Sequence, residues 1–247
     1  MIAASYCIFV QARMSSSRSP GKVAEDIHGK PMLLRQLERL RNGNKNINLV
    51  CVTSTDTRDD VIDEICSRNN FSCFRGSLDN VLDRYISAAT LHEVETIIRV
   101  GGDDPLVDMD QIEMLINEYE EKGADFLFTS HRNGWPLGSA VELISVRALQ
   151  EIARKTTEPL YLEHIIPWFH HNQNDFRYVP VNSPSNLRRP DYYFTVDYPE
   201  DLVMVKSIFE KLLVLGDYFT FQDVIQLCDD NPEILNINKH LHEGFDL

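Results

Sequence analysis

Over its first 130 residues the chain alternates short apolar runs with stretches of helical spacing, and this alternation limits the folds open to it more than any other feature. The runs cover residues 6–11, 49–53, 72–74, 96–100 and 125–129, each of strand length. Between them, apolar residues recur every three or four positions. Leu33, Leu37 and Leu40 do so behind Pro31, a favourable first-turn residue; Val61, Ile62, Ile65 and Cys66 form a second stripe. Val81, Leu82, Tyr85 and Ala89 form a third, and Ile112, Leu115, Ile116 and Tyr119 a fourth. Continuous apolar strands are buried on both faces, so strand–helix–strand repetition at this pace predicts an α/β protein whose mostly parallel sheet carries helices on both sides. Sheets of this kind bind ligands at the carboxyl ends of their strands, which directs attention to the loops that follow them.

From Ala140 onward the pattern is mixed. Residues 140–145, 178–181 and 193–197 read as strands. Pro199 then opens a helix through Leu213, with Glu200 and Asp201 in the first turn where the helix dipole favours acids. Residues 216–247 read as a helical tail that packs back or reaches a partner subunit. No internal repeat or Pro/Gly-rich linker cuts the chain, so one domain over 1–215 with a tail over 216–247 is expected.

Charge excludes whole classes of partner. Lys and Arg number 24 against 38 Asp and Glu, a net charge of −14, whereas nucleic acids and anionic membranes are held by positive surfaces. Residues 1–5 lack a basic flank and the run at 6–10 is too short to span a bilayer, so neither a leader nor a membrane segment is expected. The five cysteines, with no Cys-x-x-Cys pair, read as buried free thiols of a cytoplasmic protein rather than a zinc site or disulfide frame.

Against this acidic background the loop after the first strand stands out: Gln11-Ala-Arg-Met-Ser-Ser-Ser-Arg-Ser-Pro-Gly-Lys22. Arg13, Arg18 and Lys22, with four serines, would form a basic pocket for phosphate oxygens. It is neither a G-x-x-x-x-G-K-[ST] loop nor a G-x-G-x-x-G loop. A second feature, Arg99-Val-Gly-Gly-Asp-Asp-Pro-Leu106, follows a strand: its glycines admit a ligand to the backbone and Asp103 follows directly. A carboxylate beside a polyphosphate is explained by a shared divalent metal. Asp197, in Thr195-Val-Asp-Tyr-Pro-Glu-Asp201, is the third feature. Two aspartates at separate strand ends and a basic loop match a Mg²⁺-assisted nucleotidyl-transfer site.

The loop resembles the A-R-x-x-S-x-R-x-P-G-K signature of cytidylyltransferases that make CMP-activated sugars, and most closely the spore coat polysaccharide biosynthesis protein F group. The resemblance runs colinearly through residues 74–85, Gly102-Asp-Asp-Pro-Leu, Glu163-His164 with Pro167, and residues 195–202, covering about 6–212. It implies the nucleotide-diphospho-sugar transferase fold, a three-layer α/β/α sandwich, often dimeric, and a cytoplasmic enzyme converting CTP and a sugar acceptor into a CMP-sugar and pyrophosphate. Carried over by position, Gln11, Ala12, Arg13, Ser16, Arg18, Lys22 and Gly102 would surround the nucleotide, with Arg13, Arg18 and Lys22 on the triphosphate. Asp103 and Asp197 would hold Mg²⁺; Arg13, Lys22, Asp103 and Asp197 are the expected catalytic set. Gly76, Ser77 and Asn80 would approach the nucleoside, and Glu142 and His164 the sugar. The sequence departs from the family pattern at Ser15, Ser19 and Leu162, and lacks an Asp after Pro136.

Other constellations are weaker. Asp108-Met-Asp110 is a D-x-D, as in glycosyltransferases that consume nucleotide-sugars, but it stands where a helix begins and reads as a cap. Such a glycosyltransferase, or a non-catalytic nucleotide-binding relative, is the alternative function. His170, His171, His240 and His242 lack zinc-helix spacing and read as surface residues. Tyr192, Tyr193 and Phe194 read as core or interface, and no Gly-x-Ser-x-Gly elbow occurs.

Overall fold

The computed structural model describes residues 5–16, 18–44, 46–216 and 218–242. The reading of a missing leader, Ser17 of the basic loop, and the last residues of the tail lie outside the described residues.

The apolar runs form strands where expected: β1 (Tyr6–Gln11), β4 (Asn48–Ser54), β5 (Ser72–Gly76), β6 (Thr96–Gly101), β7 (Phe126–Thr129), β8 (Val141–Ser145) and β9 (Tyr178–Val181), with a two-residue hairpin of β2 (Asp26–Ile27) and β3 (Lys30–Pro31) beside them. The seven strands make one sheet in the order β5-β4-β1-β6-β8-β7-β9. All neighbours are parallel except β8, which runs antiparallel to both β6 and β7. The helices are α1 (Met32–Gly43), α2 (Asp60–Arg68), α3 (Val81–Leu91), α4 (Met109–Lys122), α5 (Val146–Lys155), α6 (Pro159–Glu163), α7 (Ile165–His171), α8 (Pro199–Leu212) and α9 (Phe221–Asp230). Alternate residues of β1 face opposite ways, as strand geometry requires. Ile8 and Val10 join a core with α1, α2, α4, α8 and α9, while Cys7 and Phe9 join another with α3, α5 and α7. This is a three-layer α/β/α sandwich.

The segment 193–197, expected as a strand, makes only one bridge, from Leu137 to Tyr193. Its backbone is spent on loops instead: Phe194 N–H donates to Leu137 O (2.7 Å) and Val196 N–H to Asp103 O (2.9 Å). That second bond sets Asp197 beside the loop after β6. In the tail, Phe221, Val224, Ile225 and Cys228 of α9 are buried in the core under α8. Arg39, buried in α1, donates to Phe219 O at 2.8 Å and stacks on the Phe219 ring. His242 is not a surface residue: its Nε2 lies 2.9 Å from Asp201 Oδ1 and its ring stacks on Tyr193, because Asp201 is completely buried and draws a polar partner inward. Cys7, Cys51, Cys66 and Cys228 are buried free thiols; Cys73 is only partly buried. No helix among the described residues is long and apolar enough to cross a membrane.

Candidate active site

From β1 the chain steps outward to β4 and β5, then returns to the other side of β1 as β6. This reversal opens a crevice at the carboxyl ends of β1 and β6, where open α/β sheets place their ligands. The basic loop leaves β1 there. It closes at Gly21, whose φ of 80° suits glycine and whose N–H donates to Met14 O at 3.0 Å. One tight helical turn, Lys22–Ala24, then turns the Lys22 side chain inward.

Lys22 Nζ is the centre of the site. It donates to Asp103 Oδ2 (2.9 Å), Asp197 Oδ1 (3.1 Å) and the Val196 carbonyl (2.6 Å). Lys22 and Asp197 are both buried, whereas the Asp103 side chain is 37% exposed and faces the cleft. Asp197 also accepts the Tyr193 hydroxyl at 2.7 Å and pairs with Arg18 at 3.0 Å. Burial, then the hydrogen bond to Asp197, raises the Tyr193 hydroxyl above its ordinary value, so it stays a donor. Asp103 is brought in by Gly101 and Gly102. A Cβ on Gly102 would stand 2.8 Å from Gln11 O, so only glycine lets the end of β6 press against the end of β1. Asp104, next to Asp103, turns away to accept the Thr195 hydroxyl; burial and then the Asp103 charge push its carboxyl well above the usual range.

Lys22, Asp103 and Asp197 line a cleft of about 240 Å³ with Gln11, Arg13, Ser16, Arg18, Arg99 and His164. Arg13, Arg18, Lys22 and Arg99 gather cationic groups there in an otherwise acidic protein, beside the carboxylates of Asp103 and Asp197. The oxygens of Asp103 and Asp197 already converge on one cation, the Lys22 ammonium. An oxygen-only set of this kind suits a hard divalent ion such as Mg²⁺. Arg99 and Gln11 also line a second cavity of about 210 Å³, with Val81, Glu163, His164 and the apolar Ile165, Ile166 and Pro167.

Of the residues expected from sequence, Gln11, Arg13, Ser16, Arg18, Lys22, Asp103, Asp197 and His164 meet at the cleft. Ala12 and Gly102 are buried in its wall, packed on each other. Gly76, Ser77 and Asn80 do not line it. Asn80 caps α3 by accepting Asp83 N–H, and Ser77 Oγ accepts Asn80 N–H. Glu142 is buried on β8 beneath the cleft, where it pairs with Arg99 Nη1 at 3.0 Å. Asp108 caps α4 and also accepts Phe221 N–H, as the cap reading of the D-x-D requires.

Arg99, which lines both cavities, is an addition to the residues expected from sequence. Its signal is a lone charge inside the apolar run Thr96-Ile-Ile-Arg-Val100. Burial works against its charge, but Glu142 and Tyr85 outweigh that cost and raise its guanidinium above its ordinary value. Its Nε donates to Gln11 Oε1, which also accepts the Tyr85 hydroxyl. Glu163, paired with Arg13 at 3.4 Å, is the other addition.

The sequence model of the family described as cytidylyltransferase matches residues 7–243. The chain is 30% identical over 229 residues to spore coat polysaccharide biosynthesis protein SpsF of Bacillus subtilis (strain 168), covering 91% of this chain and 94% of that one. It is 29% identical over 168 residues to the 3-deoxy-manno-octulosonate cytidylyltransferase of Photorhabdus laumondii, covering 66% of this chain and 64% of that one. A solved cytidylyltransferase from Leptospira borgpetersenii superposes with a TM-score of 0.87 at 29% identity, covering 94% of this chain and 97% of that one. CMP:2-keto-3-deoxy-manno-octonic acid synthetase, solved with CTP, shares the fold at a TM-score of 0.63 and 17% identity, covering 84% of this chain and 99% of that one. With its sheet, its cleft and a match over almost its whole length, the chain belongs to the cytidylyltransferase family.

Proposed function

We propose that this protein transfers the cytidylyl group of CTP to a sugar hydroxyl in a Mg²⁺-dependent reaction, giving a CMP-sugar and pyrophosphate for surface polysaccharide synthesis. The observation that carries this reading is the convergence of Arg13, Arg18 and Lys22 from one loop with Asp103 and Asp197 from two distant segments. Three cations hold the β- and γ-phosphates, and their charge stabilises the departing pyrophosphate. Asp103 and Asp197 hold the metal, which when bound offsets charge on the phosphate oxygens. Lys22 then exchanges its carboxylate partners for phosphate oxygen. The acceptor lies in the second cavity, its ring against Ile165, Ile166 and Pro167 and its polar groups toward Arg99 and His164. Its hydroxyl oxygen bonds to the α-phosphorus as the bond to the β-phosphate oxygen breaks, and His164, on the wall shared by both cavities, takes the hydroxyl proton. Two subunits form the working unit.

The test is pyrophosphate release from CTP over a panel of acidic, neutral and phosphorylated sugars, with and without Mg²⁺. Turnover is expected only with both Mg²⁺ and an acceptor. Asp103→Ala and Asp197→Ala should each lower it at least 100-fold, equivalent to ~2.7 kcal/mol of barrier. Unchanged turnover in both variants refutes the metal assignment, and tight CTP binding without product for any sugar favours a non-catalytic relative.

A further inference from the structure

Three thiols meet at a point the nucleotide cleft does not use. Cys51 on β4, Cys66 on α2 and Cys73 on β5 place their sulfurs within 4.8 Å of one another. The cause is register: β4 and β5 are parallel neighbours with Cys51 opposite Cys73, and α2 packs over both strands and supplies Cys66. The Asp63 carboxylate, one helical turn before Cys66, reaches the Cys73 thiol. Cys51 and Cys66 are buried, while Cys73 and Asp63 are partly exposed and leave an access route from solvent. Packing alone does not ask for this set, since buried cysteine behaves as a small apolar residue and gains nothing from a neighbouring carboxylate.

We propose that Cys51, Cys66 and Cys73, with Asp63 beside them as an outer partner, form a binding site for a thiophilic divalent cation of the zinc type. A tetrahedral zinc ion with bonds of about 2.3 Å to sulfur sets neighbouring sulfurs about 3.8 Å apart. The donor chemistry separates the two sites, because sulfur selects zinc-type ions while the Asp103 and Asp197 oxygens suit Mg²⁺. Each protonated thiol gives its proton to solvent as its sulfur bonds the ion, so protons leave as the cation binds. Arg75, on the same edge strand and paired with Asp60, offsets part of the remaining negative charge. The ligand spacings follow the sheet register, not a short motif, which is why no Cys-x-x-Cys marks the site.

The test is titration of the reduced, metal-free full chain with Co²⁺ under anaerobic conditions. One cation per chain should bring sulfur-to-cobalt absorption in the near ultraviolet, Zn²⁺ should displace it, and protons should be released. Cys73→Ala, at the least buried ligand, should weaken Zn²⁺ at least about 100-fold, and Asp63→Asn about 10-fold, while CTP binding stays unchanged. Cys228→Ala, a thiol elsewhere, should leave the titration as it is. A folded wild-type chain with no charge-transfer band at excess Co²⁺, or a Cys73→Ala variant that titrates like wild type, overturns the proposal.

Discussion

Replacing Lys22 by methionine keeps an unbranched stem and deletes the ammonium on which Asp103, Asp197 and the Val196 carbonyl converge. Breaking a fully buried ion pair from one side costs about 3–5 kcal/mol, because the remaining charge is stranded. Here the cost is smaller. Asp197 keeps Arg18 at 3.0 Å and the Tyr193 hydroxyl at 2.7 Å, and Asp103 remains in contact with water. A loss of about 2–3 kcal/mol is expected, or roughly 4–12 °C in Tm. The same change leaves two carboxylates facing one point without the ammonium between them. Mg²⁺ or Mn²⁺ should therefore stabilise Lys22→Met more than wild type in the absence of nucleotide. A dissociation constant one-hundredth of the ion concentration gives about 2.7 kcal/mol. Thermal and urea unfolding with and without the ion measures both effects. Lys22→Met melting within about 1 °C of wild type, or an equal ion-induced shift in both proteins, would refute the reasoning.

Two further predictions concern the frame of the site. Gly102→Ala forces a Cβ to within 2.8 Å of Gln11 O, so the ends of β1 and β6 must part; a loss of about 1–3 kcal/mol is expected, together with weaker CTP binding by calorimetry. Burial raises the Asp108 carboxyl above its ordinary value, so above that ordinary value the unfolded chain has released a proton the native state still holds. The contribution of this group to stability therefore falls as pH rises through the window between the two values. Asp108→Asn, which keeps a capping oxygen, should remove that slope from a series of urea unfolding curves, and a slope identical to wild type would show that burial does not set this carboxyl.

How much of this was legible beforehand follows from the range of the interactions involved. Periodicity is local, so β1, the strands from β4 to β9, the helices α1 to α4 and α8 and the position of the basic loop could be read from neighbouring residues alone, whereas the β2–β3 hairpin and the helices α5, α6 and α7 could not. The segment 193–197 has the composition of a strand, but strand pairing depends on a free neighbour, and its partners are the loops at Leu137 and Asp103. The Lys22 ammonium joins residues 81 and 175 positions away, and no spacing rule reaches that far. Nor could the sequence say that Ser77 and Asn80 serve the start of α3, or that Arg99 reaches the cleft while Glu142 stays beneath it. The three thiols meet because β4 and β5 pair in one register; a one-residue slip would turn Cys73 to the other face of the sheet. Local pattern determined which elements form and which loop carries charge, and the long-range packing of those elements decided which side chains share a site.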